Sequence, residues 1–289
     1  MTDDPFVTHR SLLFTVAYEM LGSGADAEDV VQETWLRWAS VDQADIREPR
    51  AYLVRIVTRQ ALNRLRTLAR RREDYIGEWL PEPLLTSPDI AEDVEFAESI
   101  SIAMLTVLET LGPAERAVFV LREVFDLPYD DIAAAVGKSQ AAVRQIAHRA
   151  REHVAARRPR IEVGRPEHEE VVGRFRIALQ TGDLQVLLDV LAPDVVLVAD
   201  GGGEVPAAPH PIVGRDQVAT YLSRLKTVVP GVEVGTVWLN GAPAARVDLA
   251  GELNTAVSLV VADGRITNIY AIRNPHKLAR LGEEAALSR

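Results

Sequence analysis

Residues 127–154, LPYDDIAAAVGKSQAAVRQIAHRAREHV, contain two helix patterns separated by a single glycine. The first follows Pro128, and its small residues allow a close helix crossing. Gly137 makes the turn, and Ser139 is placed to cap the longer second helix. The spacing predicts a helix-turn-helix with a basic second helix. An ordinary helical hairpin has similar spacing, but it does not need so many arginines on one exposed face.

The outward face of the second helix is the candidate surface for duplex DNA, because its apolar residues recur at helical spacing on the other side. The residues predicted to face the major groove are Ser139, Gln140, Ala141, Arg144, Gln145, His148, Arg149 and Arg151. The first five would lie along base edges, while Arg149 and Arg151 would neutralise phosphates.

Charge along the chain is grouped in blocks that the net charge of −10 does not show. Residues 47–72 hold nine arginines and one acid, residues 73–98 hold nine acids and no base, and residues 138–160 hold seven bases and one acid. Such clustering matters more for polyanion binding than the sum does. Solvated helix faces can explain a single charged block, but they explain less easily why basic and acidic blocks alternate along the chain.

Three helix patterns lie before the acidic block, at about residues 6–21, 26–40 and 50–72. The third follows Pro49, which suits the first turn of a helix. The second is predicted to bury Val31, Thr34, Trp35 and Trp38. The pattern indicates a compact three-helix unit.

The acidic block contains the hexapeptide EWLPEP at residues 78–83. Pro81, Pro83 and Pro88 predict an extended, surface-bound segment up to about residue 90. Trp79 and Leu80 would be disfavoured in water there, which indicates that the segment docks on another part of the protein.

Strand patterns dominate the chain after the basic join ARRPRIEVGRP at residues 156–166. Two helical stretches alternate with a strand and a Gly/Pro loop, and four strand-like stretches follow, the last two joined by the hairpin signal Asp263-Gly264. This order predicts an α+β domain in which a curved antiparallel sheet wraps over its helices.

Several stretches resemble parts of one family. DAEDVVQETWLRWA, PRAYLVRIVTRQALNRLR and residues 127–154 resemble the polymerase-binding helix, the promoter-melting helix and the helix-turn-helix of bacterial extracytoplasmic-function sigma factors. The match in order and spacing covers residues 6–158. The C-terminal part is similar to SnoaL-like domains, which are related in shape to ketosteroid isomerase and polyketide cyclases.

Three short segments resemble signatures of the SigJ-like subgroup of these sigma factors, which carries that C-terminal domain. They are WLPEP at 79–83, DGGGE at 200–204 and NPHKL at 274–278. Glu204 stands where the subgroup usually has lysine, and His276 where it has aspartate. The expected contact joins Trp79, Leu80, Pro81, Glu82 and Pro83 to Asp200, Gly201, Gly202, Gly203, Asn274, Pro275, Lys277 and Leu278.

The resemblance implies a multidomain transcription initiation factor with two all-α domains and a SnoaL-like α+β domain. Its parts would be sigma region two (1–72), an acidic linker (73–98), the sigma region four helix-turn-helix (99–158), a second linker (159–167) and a SnoaL-like regulatory domain (168–289). The linker acids, such as Glu92, Asp93 and Glu95, would lie near the polymerase's basic channel or act as a solubilising spacer.

The resemblance also implies binding residues for core RNA polymerase and for melted promoter DNA. Core polymerase would contact Asp29, Gln32, Glu33 and Arg37. An exposed face of the third helix would hold the displaced strand through Tyr52, Arg55, Arg59, Gln60, Asn63, Arg64 and Arg66, although core packing explains Tyr52 at least as well. The preceding loop, SVDQADIRE, would capture a flipped base.

The C-terminal domain is expected to regulate the sigma factor in cis, so that no separate anti-sigma factor is required. The alternative is an isomerase-like or cyclase-like enzyme, or a ligand sensor, with Asp200, His210 and Tyr270 as the titratable residues concerned. No convincing acid/base pair is evident in the sequence, so we expect no catalysis and no cofactor, with a small-molecule ligand left open.

Composition excludes several other classes. The chain has no cysteine, which removes disulfides, thiolate zinc sites and thiol redox switches. No apolar run approaches the roughly 20 residues of a membrane span, and the N-terminus is acidic where a signal peptide is basic. A cytoplasmic protein without metal is therefore expected.

Overall fold

The structure, a computed structural model, describes residues 4–158, 164–228 and 231–289, with backbone alone for residues 69–73 and 225–228. These residues form two compact units. The helical unit comprises residues 4–74, 104–158 and 286–289, and the sheet unit comprises residues 75–103, 164–228 and 231–285. Residues 159–163 of the predicted second linker lie outside the described residues.

The first part of the helical unit contains the three predicted helices. They are α1 (Pro5–Leu21), α2 (Gly24–Ala39) and, after a 3-10 turn (Gln43–Asp45), α3 (Pro49–Glu73). The side chains of Asp4 and Ser23 accept backbone hydrogen bonds at the starts of α1 and α2. Gly22 ends α1 in the left-handed conformation, with φ of 67°.

One expectation about α2 is wrong. Trp35 is 46% exposed, although the periodicity predicts it to be buried. The buried stripe consists of Ala27, Val30, Val31, Thr34 and Trp38. Trp35 lies to one side of that stripe, because each residue turns the helix by about 100°.

The second part of the helical unit contains the helix-turn-helix. Its helices are α5 (Ile102–Leu108), whose first two residues belong to the sheet unit, α6 (Pro113–Phe119), a π-helical turn (Val120–Val124), α7 (Tyr129–Val136) and α8 (Gln140–Ala155). Gly137 has φ of 70°, and Ser139 accepts a hydrogen bond from the Ala142 amide as the N-cap of α8. The predicted helix-turn-helix is therefore confirmed.

Arg116 connects the two parts of the helical unit. Its side chain is 2% exposed. Nε donates to the Glu19 carbonyl of α1 at 2.9 Å, and Nη1 donates to Glu109 Oε1 at 2.7 Å. Burial lowers the pKa of the guanidinium to about 9, while the nearby Glu19 opposes that shift. Arg116 therefore stays charged at neutral pH.

The sheet unit has the α+β architecture expected of the C-terminal domain. Its helices are α4 (Val94–Ser99), α9 (Arg165–Thr181), α10 (Leu184–Val190), α11 (Arg215–Val228) and α12 (Pro275–Leu278). A 3-10 turn spans Pro88–Glu92. Its strands are β1 (Leu191–Asp200), β2 (Ile212–Val213), β3 (Val232–Leu239), β4 (Ala242–Leu249), β5 (Glu252–Ala262) and β6 (Arg265–Ile272).

Among the described residues, these strands form one six-stranded sheet in the order β2-β1-β6-β5-β4-β3. The sheet is mixed, not purely antiparallel as predicted, because β1 pairs in parallel with β6. Parallel pairing arises because the chain leaves β1, crosses through α11 and the β3–β5 meander, and returns on the other side of β5. The β5–β6 hairpin turns at Asp263-Gly264, as predicted.

Both faces of the sheet are covered. Alternate strand residues such as Leu197 and Leu259 pack against α9, α10 and α11. The intervening residues, such as Val260 and Tyr270, pack against Leu80 and Ile102. Residues 75–103, here called the docked segment, thus cover the sheet face that the domain's own helices leave free.

Candidate nucleic-acid surfaces and the docked segment

The outer face of α8 is exposed along its length. Every residue predicted to contact duplex DNA is exposed, namely Ser139, Gln140, Ala141, Arg144, Gln145, His148, Arg149 and Arg151. The nearest carboxylates to Arg149 and Arg151 belong to Glu115 and Glu123, at 3.9 and 3.7 Å. Ion pairs this exposed contribute little, so DNA phosphates could replace them.

The predicted single-strand face of α3 is only partly exposed. Asn63 and Arg66 are exposed. Gln60 is buried, and its amide donates to Glu33 Oε2 at 2.8 Å. The prediction that Gln60 lies on the exposed face is therefore wrong.

Two arginines of α3 hold protein groups. Arg59 Nη2 donates to the Ala134 carbonyl of α7 at 2.8 Å. Arg64 donates to Asp26 at 2.7 Å and to Asp29 at 2.5 Å. A bound DNA strand would have to displace these contacts to use either guanidinium.

Tyr52 is half-buried near the start of α3. Its ring centroid lies 6.1 Å from that of Trp38, and the Arg55 guanidinium lies 5.2 Å from it. Tyr52 also lines a cleft of about 750 Å³ between the start of α3, the loop before it and α7. The ring thus both packs against the core and faces an open cleft lined by three arginines and three carboxylates.

The outer face of α2 carries Asp29, Gln32, Glu33 and Arg37, all exposed. Beside them, Leu36 is 62% exposed and Trp35 is 46% exposed. Exposed apolar side chains among charged ones are typical of a protein-binding surface. Apolar and charged side chains thus lie side by side on this exposed face of α2.

Asp200, at the end of β1, is fully buried. It accepts hydrogen bonds both from the docked segment and from the rest of the C-terminal domain. The Tyr75 hydroxyl donates to Oδ1 at 2.5 Å, and the Leu80 amide donates to Oδ2 at 2.9 Å. From the domain itself, Lys277 Nζ donates at 2.6 Å and the Gly202 amide at 3.0 Å. Each of the two carboxylate oxygens therefore accepts two hydrogen bonds.

Lys277 completes the contact. Its Nζ donates to the Leu80 carbonyl at 2.5 Å and lies 3.3 Å from the Trp79 ring centroid. The Tyr75 ring packs edge-on against Trp79, with 4.8 Å between centroids. The buried cation is therefore held by a carboxylate, a carbonyl and an aromatic face.

The loop after Asp200 requires glycine. Gly202 has φ of 65°, and a Cβ on it would lie 2.3 Å from Asn274 Nδ2. That Nδ2 donates to the Tyr75 hydroxyl at 2.9 Å. A side chain at Gly202 would therefore displace a group that holds the docked segment.

A second contact lies at the end of β3. The Leu84 amide donates to Asn240 Oδ1 at 3.0 Å, and Asn240 Nδ2 donates to the Ile100 carbonyl at 2.8 Å. The Thr86 amide donates to the Trp238 carbonyl at 3.1 Å, so the segment pairs with the edge strand. Asn240 thus binds the docked segment at two points.

Residues 6–71 match the family model for Sigma-70 region 2, and residues 101–154 match that for Sigma-70, region 4. The chain is 39% identical to the ECF RNA polymerase sigma factor SigJ of Mycobacterium tuberculosis, over 94% of this chain and 91% of that protein. This chain belongs to the extracytoplasmic-function (ECF) sigma factor family. Like other members, this sigma factor binds core RNA polymerase and promoter DNA to start transcription.

Further relatives agree with this assignment along the whole length of the sigma factor. A probable ECF sigma factor SigI of M. tuberculosis is 34% identical over 96% of this chain and 94% of its own. The crystal structure of M. tuberculosis SigJ superposes with a TM-score of 0.77 at 35% identity, covering 95% of this chain and 97% of that one. The predicted fold class, two helical sigma regions followed by an α+β domain, is confirmed.

The two residues of the sigma factor that depart from the SigJ-like pattern contact each other. His276 Nε2 lies 2.7 Å from Glu204 Oε1, and both side chains are exposed. Because the pair is exposed, it contributes little to docking compared with the buried Asp200–Lys277 pair.

The three candidate catalytic residues do not form a site. Asp200 binds the docked segment, His210 is exposed in its loop, and Tyr270 faces the docked segment's side of the sheet. The cavity between the sheet, α9 and α11, on the opposite face, has a volume of only about 70 Å³, and none of the three lines it. Among the described residues, no cluster of His, Asp and Glu is arranged to hold a metal ion, and no helix is long and apolar enough to cross a membrane.

Sequence reasoning missed several residues of the docking contact, above all Tyr75, Thr86 and Asn240. Tyr75 is an aromatic residue in the same acidic stretch as Trp79, which could have drawn attention to it. Asn240-Gly241 is a turn signal, and Asn240 adopts φ of 52° there. Its two amide hydrogen bonds had no sequence signal, because they join residues more than a hundred positions apart.

We expect the docking contact to weaken in alkali. Burial, followed by the hydrogen bond to Asp200, raises the pKa of Tyr75 above its usual value near 10. The contribution of the Tyr75 hydroxyl to folding stability is complete below pH 10 and is lost as pH rises through the folded-state pKa of Tyr75. The reason is that Tyr75 loses its proton at a lower pH in the unfolded chain than in the folded protein. Thermal unfolding from pH 8.5 to 11 should show a smaller alkaline loss in Tyr75→Phe, whereas Tyr52→Phe in the helical unit should follow the wild type. Superimposed profiles for Tyr75→Phe and wild type would contradict this.

Proposed function

We propose that the C-terminal domain regulates this sigma factor in cis by holding the docked segment. The segment joins sigma region 2 to region 4, so its conformation limits how far the two regions can separate. While it is held on the sheet it cannot extend along a polymerase channel. The buried Asp200–Lys277 pair, which binds both the amide and the carbonyl of Leu80, carries this proposal.

Docking corresponds to a restrained state of the sigma factor. In the helical unit, Arg59 donates to backbone carbonyls of α7 and Arg116 donates to the Glu19 carbonyl, so the two sigma regions pack together. Binding of melted DNA would require Arg59 to leave α7. We infer that transcription requires both release of the docked segment and separation of the two regions.

The tether removes the need for a separate anti-sigma factor. A domain joined by a short linker acts at an effective concentration near the millimolar range.

The surfaces left exposed have distinct roles. We propose that the α8 face contacts duplex promoter DNA, that Asn63, Arg66 and the Tyr52 cleft contact melted DNA, and that the α2 face contacts core polymerase in the cytoplasm.

We propose that the C-terminal domain does not act as an enzyme. Drug-sized ligands occupy pockets of roughly 300–1,000 Å³, whereas the cavity between the sheet, α9 and α11 offers about 70 Å³. A ligand would therefore have to enlarge the cavity. Turnover of a steroid-like or polyketide substrate by the full chain, abolished by Asp200→Asn, would reverse this conclusion.

The deciding experiment uses Trp79→Ala in the full chain. Losing the aromatic face over Lys277 removes about 2 kcal/mol from a desolvated cation–π contact, roughly thirtyfold in the docking equilibrium. We expect faster proteolysis within residues 75–103 and more transcription at limiting sigma factor, from a promoter that the wild-type holoenzyme selects from a random library. Promoter preference should not change.

The matched control is Trp79→Phe, which keeps an aromatic face for Lys277 and should resemble the wild type. If Trp79→Ala is cleaved and transcribes like the wild type, the tryptophan is only local packing and the proposed regulation fails. If neither protein binds core polymerase, the assignment of the α2 face fails instead.

A further inference from the structure

Tyr129, the first residue of α7, has two arginines close to its ring, one from the π-helical turn and one from α8. Its ring centroid is 5.0 Å from the Arg122 guanidinium carbon and 5.5 Å from that of Arg144. Both distances are within the roughly 6 Å range of cation–π attraction. The ring is half-buried, while Arg144 is exposed on the DNA-facing side of α8.

The Arg122 side of this arrangement is fixed by further contacts. Arg122 Nη1 donates to the Leu127 carbonyl at 3.0 Å and lies 3.0 Å from Asp126 Oδ1. Pro128 then sets the backbone direction into α7, whose first residue is Tyr129. The ring is therefore held in place by local structure before any contact with Arg144 is considered.

We propose that Tyr129 is a positioning residue for base recognition, which orients the Arg144 guanidinium toward one base pair of the duplex element before DNA binds. The inference rests on the base contact proposed for Arg144. A guanidinium contacts guanine O6 and N7 through two parallel hydrogen bonds, so its plane must be aligned with the base. A flexible arginine loses rotamer freedom on binding, and stacking on a fixed ring removes part of that loss in advance.

The arrangement assigns a chemical preference to this position. The base pair opposite Arg144 should be G·C, since guanine offers two acceptors with the spacing of the guanidinium fork. Tyr129 should affect discrimination at that base pair alone. The number of phosphate contacts stays the same, so the salt dependence of binding should not change.

The test measures how tightly holoenzyme containing the full-length sigma factor binds a duplex element that the wild type selects from a random library. Binding to every single-base-pair substitution of that element is compared with binding to the selected sequence. Tyr129→Leu should reduce discrimination about two- to fivefold, at the base pair where Arg144→Ala also loses discrimination. Tyr129→Phe keeps the ring and should match the wild type. Arg144→Lys keeps the charge without the planar stacking group, leaves the core untouched, and should also lose discrimination there.

Discrimination is the ratio of one variant's binding to two DNA sequences. A partial loss of folded protein lowers both values equally and therefore does not change the ratio. In the Arg144→Ala background, Tyr129→Leu should have no further effect. The proposal is overturned if Tyr129→Leu weakens binding equally on all sequences, if Tyr129→Phe behaves like Tyr129→Leu, or if the effect persists without Arg144. It also falls if Arg144→Ala changes discrimination at no base pair, an outcome that leaves the regulation tested through Trp79 unaffected.

Discussion

Replacing Asp200 with alanine is expected to release the docked segment, at a loss of about 3–5 kcal/mol in the free energy that holds it on the sheet. The change removes the acceptor for Tyr75 and Leu80 and leaves the Lys277 ammonium buried without its carboxylate. Hydrogen exchange of the full chain is the direct measurement, because the Leu80 amide loses its acceptor. Exchange there should accelerate by roughly 10²- to 10⁴-fold.

Two variants separate the buried pair from general damage to the sheet. Asp194→Ala removes an exposed carboxylate from the same strand and should change stability by no more than about 0.5 kcal/mol. The double variant Asp200→Asn with Lys277→Met removes both buried charges and should lose less than Asp200→Ala alone. Wild-type exchange at Leu80 in Asp200→Ala would show that the Asn240 contact holds the segment by itself.

Replacing Arg116 with alanine should destabilise the helical unit by about 3–5 kcal/mol. The guanidinium is buried between α1 and α6, and its removal leaves the Glu19 carbonyl and the Glu109 carboxylate without this donor. Because the helices it joins belong to sigma regions 2 and 4, both should lose protection together. Urea unfolding combined with hydrogen exchange at α1 and α6 measures the effect.

Arg10 provides the comparison for Arg116. It also forms an ion pair within the helical unit, with Glu28, but its side chain is 47% exposed. Arg10→Ala should therefore cost less than about 1 kcal/mol. Equal losses for the two variants would mean that burial of Arg116 adds nothing to the stability of the helical unit.

The docking geometry also decides how regulation should be tested. Deleting the C-terminal domain after residue 158 would leave Leu80, Ile102 and Ala103 without the sheet that buries them. The truncated protein would then expose an apolar stripe in the segment between regions 2 and 4. Point substitutions in the full chain, such as those at Trp79 and Asp200, avoid this new surface.

Local chemistry explains why the helical unit was largely predictable. Gly137 and Ser139 set the turn and the cap of the helix-turn-helix, and the apolar spacing in α8 fixes which face is exposed. Trp35 and Gln60 are the exceptions. Each lies at the margin of its helix's buried face, where periodicity leaves the orientation undecided and neighbouring helices decide it.

The sheet unit shows the opposite balance. Strand alternation and the Asp263-Gly264 turn predicted the β5–β6 hairpin. The parallel pairing of β1 with β6 could not be predicted, because alternation within a strand carries no information about its neighbour in the sheet. The same holds for Tyr75 and Asn240, whose partners are distant in sequence.

The sequence by itself determined the local elements, the helix-turn-helix and its exposed basic face, because hydrophobic spacing, caps and turns act between residues a few positions apart. The resemblance already indicated that Leu80 contacts Asp200 and Lys277, but only the tertiary structure showed that the two charges are buried as a pair. The tertiary structure alone also decided that Arg59 and Arg116 hold protein groups. A buried charge is stable only with its partners in place, and those partners come together only when distant segments pack.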